Sequence, residues 1–97
     1  MNSSEVVSLI STRSDCIRRG FGVRSLSLFG SVARGEGTES SDTDFLVEFE
    51  GAATYDRYMG LKLYLEDILG CPVDLVTSKG ARGFLRRSLE QEAIRVA

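Results

Sequence analysis

Residues 26–49 read LSLFGSVARGEGTESSDTDFLVEF, two apolar runs separated by a glycine- and serine-rich stretch. Leu26, Leu28 and Phe29 lead into Gly30-Ser31 as a short strand ending in a tight turn. Glycine lets a backbone pass close to a ligand. If Ser31 opens a helical turn, its hydroxyl and the free N–H groups there point at an anion. Ten residues further on, Asp42-Thr43-Asp44 begins a second strand that runs to Phe49. Side chains alternate along a strand, so Thr43, Phe45, Val47 and Phe49 form the core face. Asp42, Asp44, Leu46 and Glu48 share the other.

Carboxylates two residues apart on a strand lie roughly 6–7 Å apart at Cα, close enough to share a cation. Pro72-Val73-Asp74-Leu75-Val76 predicts a third strand with Asp74 opposite in facing to Val73 and Leu75. Were it to neighbour the second strand, Asp74 would join the pair, and clustered carboxylates repel unless positive charge lies between them. Magnesium suits such a site, with manganese as the alternative, because it takes carboxylate oxygens and completes its octahedron with water and phosphate. With two ions, one activates an attacking hydroxyl and the other steadies a leaving diphosphate.

Composition narrows the field. At 97 residues, 42% hydrophobic and 27% charged, the chain reads as one globular domain spanning 1–97. No apolar run approaches a membrane span, and MNSSEVVSLI lacks a signal-peptide pattern, so a cytoplasmic protein is expected. With no histidine, Ser-His-Asp and Cys-His catalysis is excluded and the commonest zinc ligand is missing. Any general base is then a carboxylate, lysine or tyrosine. Cys16 and Cys71 make no CxxC pair and read as reduced, small hydrophobic residues.

Charge is uneven. Residues 35–77 hold ten acids against two cations, whereas both flanks are basic. An acidic centre suits cation binding and disfavours direct nucleic-acid binding. Lys79, Arg82, Arg86, Arg87 and Arg95 offer an anion contact or simply a solvated helix face.

Val6, Leu9, Ile10, Cys16 and Ile17 recur at helical spacing, predicting one amphipathic helix over 4–19, capped by Ser3 or Ser4 and stopped by Gly20. Residues 35–41 have turn chemistry. Tyr58, Leu61, Leu65, Ile68 and Leu69 predict a second long helix ending at Gly70, and Phe84, Leu85 and Leu89 a closing helix over about 81–95. The expected fold is α/β, a small mixed sheet of about three strands flanked by helices, in the order α-β-(short helix)-β-α-β-α.

Each signal has a plainer reading. Gly30 could be only a turn glycine, Ser31 only a helix cap, and Asp74 a charge that protects an edge strand. Arg34, one turn beyond Ser31, reaches a phosphate or remains a surface arginine. Glu48 lies further along the acidic face and reads as solvated, and Tyr58 as core. It is the coincidence of glycine, spacing and three strand-borne acids that points to metal-assisted chemistry on a nucleotide.

FGSVARGEGTESSDTDFLVEF followed by PVDLV resembles the nucleotidyltransferase fold of the DNA polymerase beta superfamily. The chain is most similar to its minimal nucleotidyltransferases (MNT), often the antitoxin half of HEPN/MNT toxin–antitoxin pairs. The resemblance implies that Gly30 and Ser31 hold the triphosphate of ATP, with Arg34 beside them. It implies that Asp42 and Asp44 ligate magnesium, and that Asp74 completes the site and helps activate the acceptor. It further implies transfer of AMP to a tyrosine of a HEPN-type RNase partner. Two other functions fit the residues: a binding module that neutralises its partner by contact alone, and nucleotidyl transfer to a small molecule or RNA end.

Overall fold

The computed structural model describes residues 2–30, 43–78 and 94–97. Among the described residues four strands make one sheet: β1 (Val23–Phe29), β2 (Thr43–Phe49), β3 (Val73–Thr77) and β4 (Ile94–Arg95). Their order is β3-β2-β1-β4, with β2 antiparallel to β1, β3 parallel to β2, and β4 antiparallel to β1. A parallel neighbour needs a crossover, which α3 (Tyr55–Leu69) supplies between β2 and β3. The mixed α/β fold expected from the sequence is therefore present, with a fourth strand added.

That strand corrects the closing helix, which was expected to run to 95. Ile94 pairs with Leu28 and Arg95 with Ser27, and Val96 is buried, its N–H donating to the Leu26 carbonyl at 2.8 Å. Two β-branched residues around an arginine suit a half-buried strand. The rest of the expected closing helix, the short helix after Ser31 and the 35–41 turn lie outside the described residues.

At the N-terminus two helices replace the predicted one: α1 (Ser3–Ser11) and α2 (Ser14–Phe21). The Thr12 hydroxyl bonds the Leu9 carbonyl at 2.9 Å, and Arg13 N–H turns back to Ile10 rather than to Leu9. A side chain competing for the helix carbonyls ends the helix there. Asn2, not Ser3 or Ser4, caps α1, accepting from Glu5 N–H at 2.8 Å. Gly22, not Gly20, ends α2 in the left-handed conformation, at φ 65°. After the break Val6, Ile10 and Ile17 remain in the core, but Leu9 and Cys16 are exposed. The Cys16 thiol instead hydrogen-bonds Tyr64, which pushes that phenol's pKa up.

Thr54 caps α3 and Gly70 ends it, as its apolar stripe predicts. Leu61, Leu65 and Leu69 pack with Val6, Ile10 and Ile17 onto Leu26, Leu28, Phe45, Val47 and Leu75 of the sheet. Fully burying each such side chain contributes about 1.5–3 kcal/mol. A bulge between Val23 and Ser25 shifts the alternation of β1, so that both Val23 and Leu26 reach this core. Core and helices thus take one face of the sheet, and the opposite face carries the polar residues of β2. Among the described residues no helix is long and apolar enough to cross a membrane.

Candidate functional site

The sheet register decides which acids meet. In β2 the predicted alternation holds: Thr43, Phe45, Val47 and Phe49 are buried, and Asp44, Leu46 and Glu48 take the other face. Asp44 stands directly opposite Asp74 on β3 and directly opposite Phe29 on β1. Directly paired residues on adjacent strands point to the same face, with backbones about 4.8 Å apart. The structure therefore brings Asp44 and Asp74 together at the start of two parallel strands.

Gly30 follows Phe29 at φ 80° and lies against the Asp44 carboxylate. A Cβ at residue 30 would overlap Asp44 Oδ2 and come within 3.2 Å of its Cγ. Only glycine accepts both that backbone angle and that proximity without strain. Asp42, Ser31 and Arg34, the remaining residues predicted for the site, lie outside the described residues. Among the described residues no group of three metal-ligating side chains occurs.

Two contacts anchor the beginnings of these strands to each other. Thr43, 1% exposed, donates its N–H to the Pro72 carbonyl at 3.2 Å. Its hydroxyl meets Cys71 Sγ at 3.3 Å. On the outer side of β3, Glu66 accepts from Val73 N–H at 3.0 Å and from Lys62 Nζ at 3.0 Å. The Val73 N–H, and after it the Lys62 ammonium, hold the Glu66 carboxyl below the ordinary carboxylate range. Tyr58, read from sequence as core alone, donates its hydroxyl to the Leu75 carbonyl at 2.6 Å. Sequence reasoning missed these roles of Tyr58 and Glu66. The signal was the spacing of Tyr58, Lys62 and Glu66, which puts them on one face of α3.

Glu48 does not extend the acid pair. It ion-pairs with Arg24 at 3.2 Å, in the open. Arg24 and Glu48 also line a recess of about 360 Å³ with Phe49, Gly51, Thr77 and Ser78. Four residues of strand, about 13 Å, separate Glu48 from Asp44, so this recess and the acid pair are distinct features. Arg95 of β4, which pairs with Ser27 of β1, shares the face of Asp44.

Two carboxylates paired on one face are mutually repulsive, and a hard divalent cation between them converts repulsion into ligation. The donor set is all oxygen, which matches magnesium or manganese and disfavours soft metals. The absence of a Cβ at Gly30 leaves room for the Asp44 carboxylate itself.

Comparison with known proteins gives the family and the fold. Residues 10–96 match the nucleotidyltransferase domain family. The protein adenylyltransferase MntA of Thermococcus cleftensis is 36% identical over 92 residues, covering 95% of this chain and 93% of that one. A solved structure provisionally described as a minimal nucleotidyltransferase superposes with TM-score 0.77 at 37% identity, over 97% of this chain and 95% of that one. The MNT antitoxin solved with the tri-AMPylated HEPN toxin of Shewanella oneidensis superposes with TM-score 0.67 at 19% identity, over 94% and 71% of the two chains, a likeness of fold. With its acid pair in register on a mixed sheet and its family match over nearly its whole length, the chain belongs to the nucleotidyltransferase domain family.

Proposed function

We propose that this chain is a magnesium-dependent protein adenylyltransferase that moves AMP from ATP to a tyrosine hydroxyl of a HEPN-type toxin partner, and so acts as its antitoxin. The observation that carries the reading is the direct pairing of Asp44 with Asp74, with Gly30 packed against the Asp44 carboxylate. The adenylyltransferase name of a relative matched over nearly its full length supports the same chemistry. The partner follows from the family resemblance and from the toxin–antitoxin complex that shares this fold.

In this reading the Gly30 and Ser31 backbone holds the triphosphate, with Arg34 against a phosphate oxygen. Asp42, Asp44 and Asp74 hold the divalent cations. When bound, these ions supply positive charge at the α-phosphate and at the departing diphosphate. Asp74 faces the acceptor, orients its hydroxyl and draws on its proton. The acceptor oxygen bonds to the α-phosphorus, the α–β phosphoanhydride bond breaks, and diphosphate leaves. Residues 1–97 form one minimal domain in the cytoplasm, and the partner supplies the acceptor surface.

Intact-mass spectrometry tests this directly. The protein is incubated with ATP, magnesium and a HEPN-type candidate partner, next to an Asp42→Asn/Asp44→Asn control. One or more AMP increments on the partner, lost in the control, are expected. A stable complex without any increment would replace this reading with neutralisation by contact alone.

A further inference from the structure

Asp74 sits on an edge strand, which is an awkward place for a group that must be held still. Among the described residues β3 has a neighbour on one side only. It is five residues long, and a short edge strand is where a sheet frays first.

The hydrogen bonds of β3 divide by residue parity. Pro72 and Ser78 direct backbone groups at β2, through Thr43 N–H to the Pro72 carbonyl and Ser78 N–H to the Val47 carbonyl. Residues of the other parity, Val73 and Leu75, therefore present theirs outward. Of the outward groups on the two residues flanking Asp74, α3 takes one from each: the Val73 N–H by Glu66 and the Leu75 carbonyl by Tyr58. Lys62, one helical turn from each, bonds the same Glu66 oxygen and fixes its rotamer. Asp74 is thus flanked on both sides by pinned residues, while its own side chain is exposed on the face of Asp44.

We infer that Tyr58 and Glu66 are positioning residues for Asp74. They take the place of the second neighbouring strand that β3 lacks among the described residues, and hold β3 so that the exposed carboxylate stays opposite Asp44. This rests on the adenylyltransferase reading in so far as Asp74 serves the transfer. The strand lock itself is a property of the fold.

Two measurements on the full chain separate these levels. The first is amide hydrogen exchange in Tyr58→Phe, Glu66→Ala and Glu66→Gln. The Asp74 and Val76 amides should exchange at least about tenfold faster in Tyr58→Phe and Glu66→Ala, with Leu26 of β1 unaffected. Glu66→Gln keeps an acceptor for Val73 N–H and should stay near wild type. Unchanged β3 exchange, or Gln as disruptive as Ala, would overturn the lock.

The second is a kinetic double-mutant cycle with Asp74→Asn. Tyr58→Phe and Glu66→Ala should lower kcat by about tenfold to a hundredfold, as expected for small displacements of a reacting group, with KM for ATP unchanged. In the Asp74→Asn background they should add almost nothing. Equal losses in both backgrounds would show a general structural effect and overturn the positioning role. If the wild-type protein transfers no AMP to any acceptor, the proposed function fails, and hydrogen exchange alone then decides the lock.

Discussion

Gly30 and Asp44 are packed so closely that a methyl group on the Gly30 α-carbon would overlap the Asp44 carboxylate. A glycine whose sequence context suggests phosphate contact therefore has a second constraint: it leaves space for an acid. Replacing it with alanine has two separable effects. The left-handed backbone at φ 80° costs a β-carbon about 1–2 kcal/mol. The methyl also rotates the Asp44 carboxylate away from Asp74. Gly30→Ala should melt about 4–15 °C lower but lose AMP transfer far beyond what that shift explains at 25 °C. Retention of more than a tenth of wild-type kcat in folded protein would show that Asp44 tolerates displacement.

The direct pairing of Asp44 with Asp74 makes a cation-dependent prediction that needs no acceptor. Like charges directly opposite on a sheet are destabilising, and Asp44 and Asp74 are such a pair. In chelator, Asp74→Asn should therefore melt at or slightly above wild type. Magnesium at about a hundred times its dissociation constant should stabilise wild type by about 2.7 kcal/mol. That gain should shrink sharply in Asp74→Asn and Asp44→Asn. Calorimetric melts with and without magnesium check this, and an identical magnesium shift in all three proteins would place the cation elsewhere.

Much of this site was legible because strand alternation is a strict rule. Once Thr43, Phe45, Val47 and Phe49 are taken as core, Asp44 must face away from them, and the same holds for Asp74 against Val73 and Leu75. The parallel register that pairs the two acids was not legible, because it is set by contacts across the chain: Thr43 to Cys71 and Pro72, and Glu66 to Val73. The break after Ser11 was hidden for a related reason. A helical stripe through Leu9, Ile10, Cys16 and Ile17 looks continuous until Thr12 takes the Leu9 carbonyl. Ile94-Arg95-Val96 did carry a strand signal, outweighed by the longer helical pattern before it.

The helix break gives a clean stability test on neighbouring residues. Ile10 is fully buried, whereas Leu9 is 38% exposed. Ile10→Ala should cost about 2–5 kcal/mol through lost burial and an unfilled cavity. Leu9→Ala should stay within about 0.5 kcal/mol. Urea unfolding of the two variants measures the difference. Comparable losses would mean that residues 4–19 form the single helix that the sequence pattern suggests, with both side chains in its buried stripe.

Glu66 gives the fold a specific acid sensitivity at the strand that carries Asp74. The Val73 N–H, followed by Lys62, holds its carboxyl below the ordinary carboxylate range in the folded protein. An acid whose folded pKa is lowered binds its proton more weakly when folded, so its stabilising contribution is present in full above the unfolded value of about 4.3. That contribution disappears as pH falls through the lower, folded value. Glu66→Gln does not titrate, so its stability should decline less steeply than that of wild type between pH 5 and the acid limit. Glu66→Ala should be less stable than Glu66→Gln at neutral pH, since it leaves the Val73 N–H without its side-chain acceptor. Thermal melts of the three proteins across that range provide the comparison. Parallel pH profiles for wild type and Glu66→Gln would show that the bond to Val73 persists with a protonated carboxyl, leaving the lock on β3 insensitive to acid.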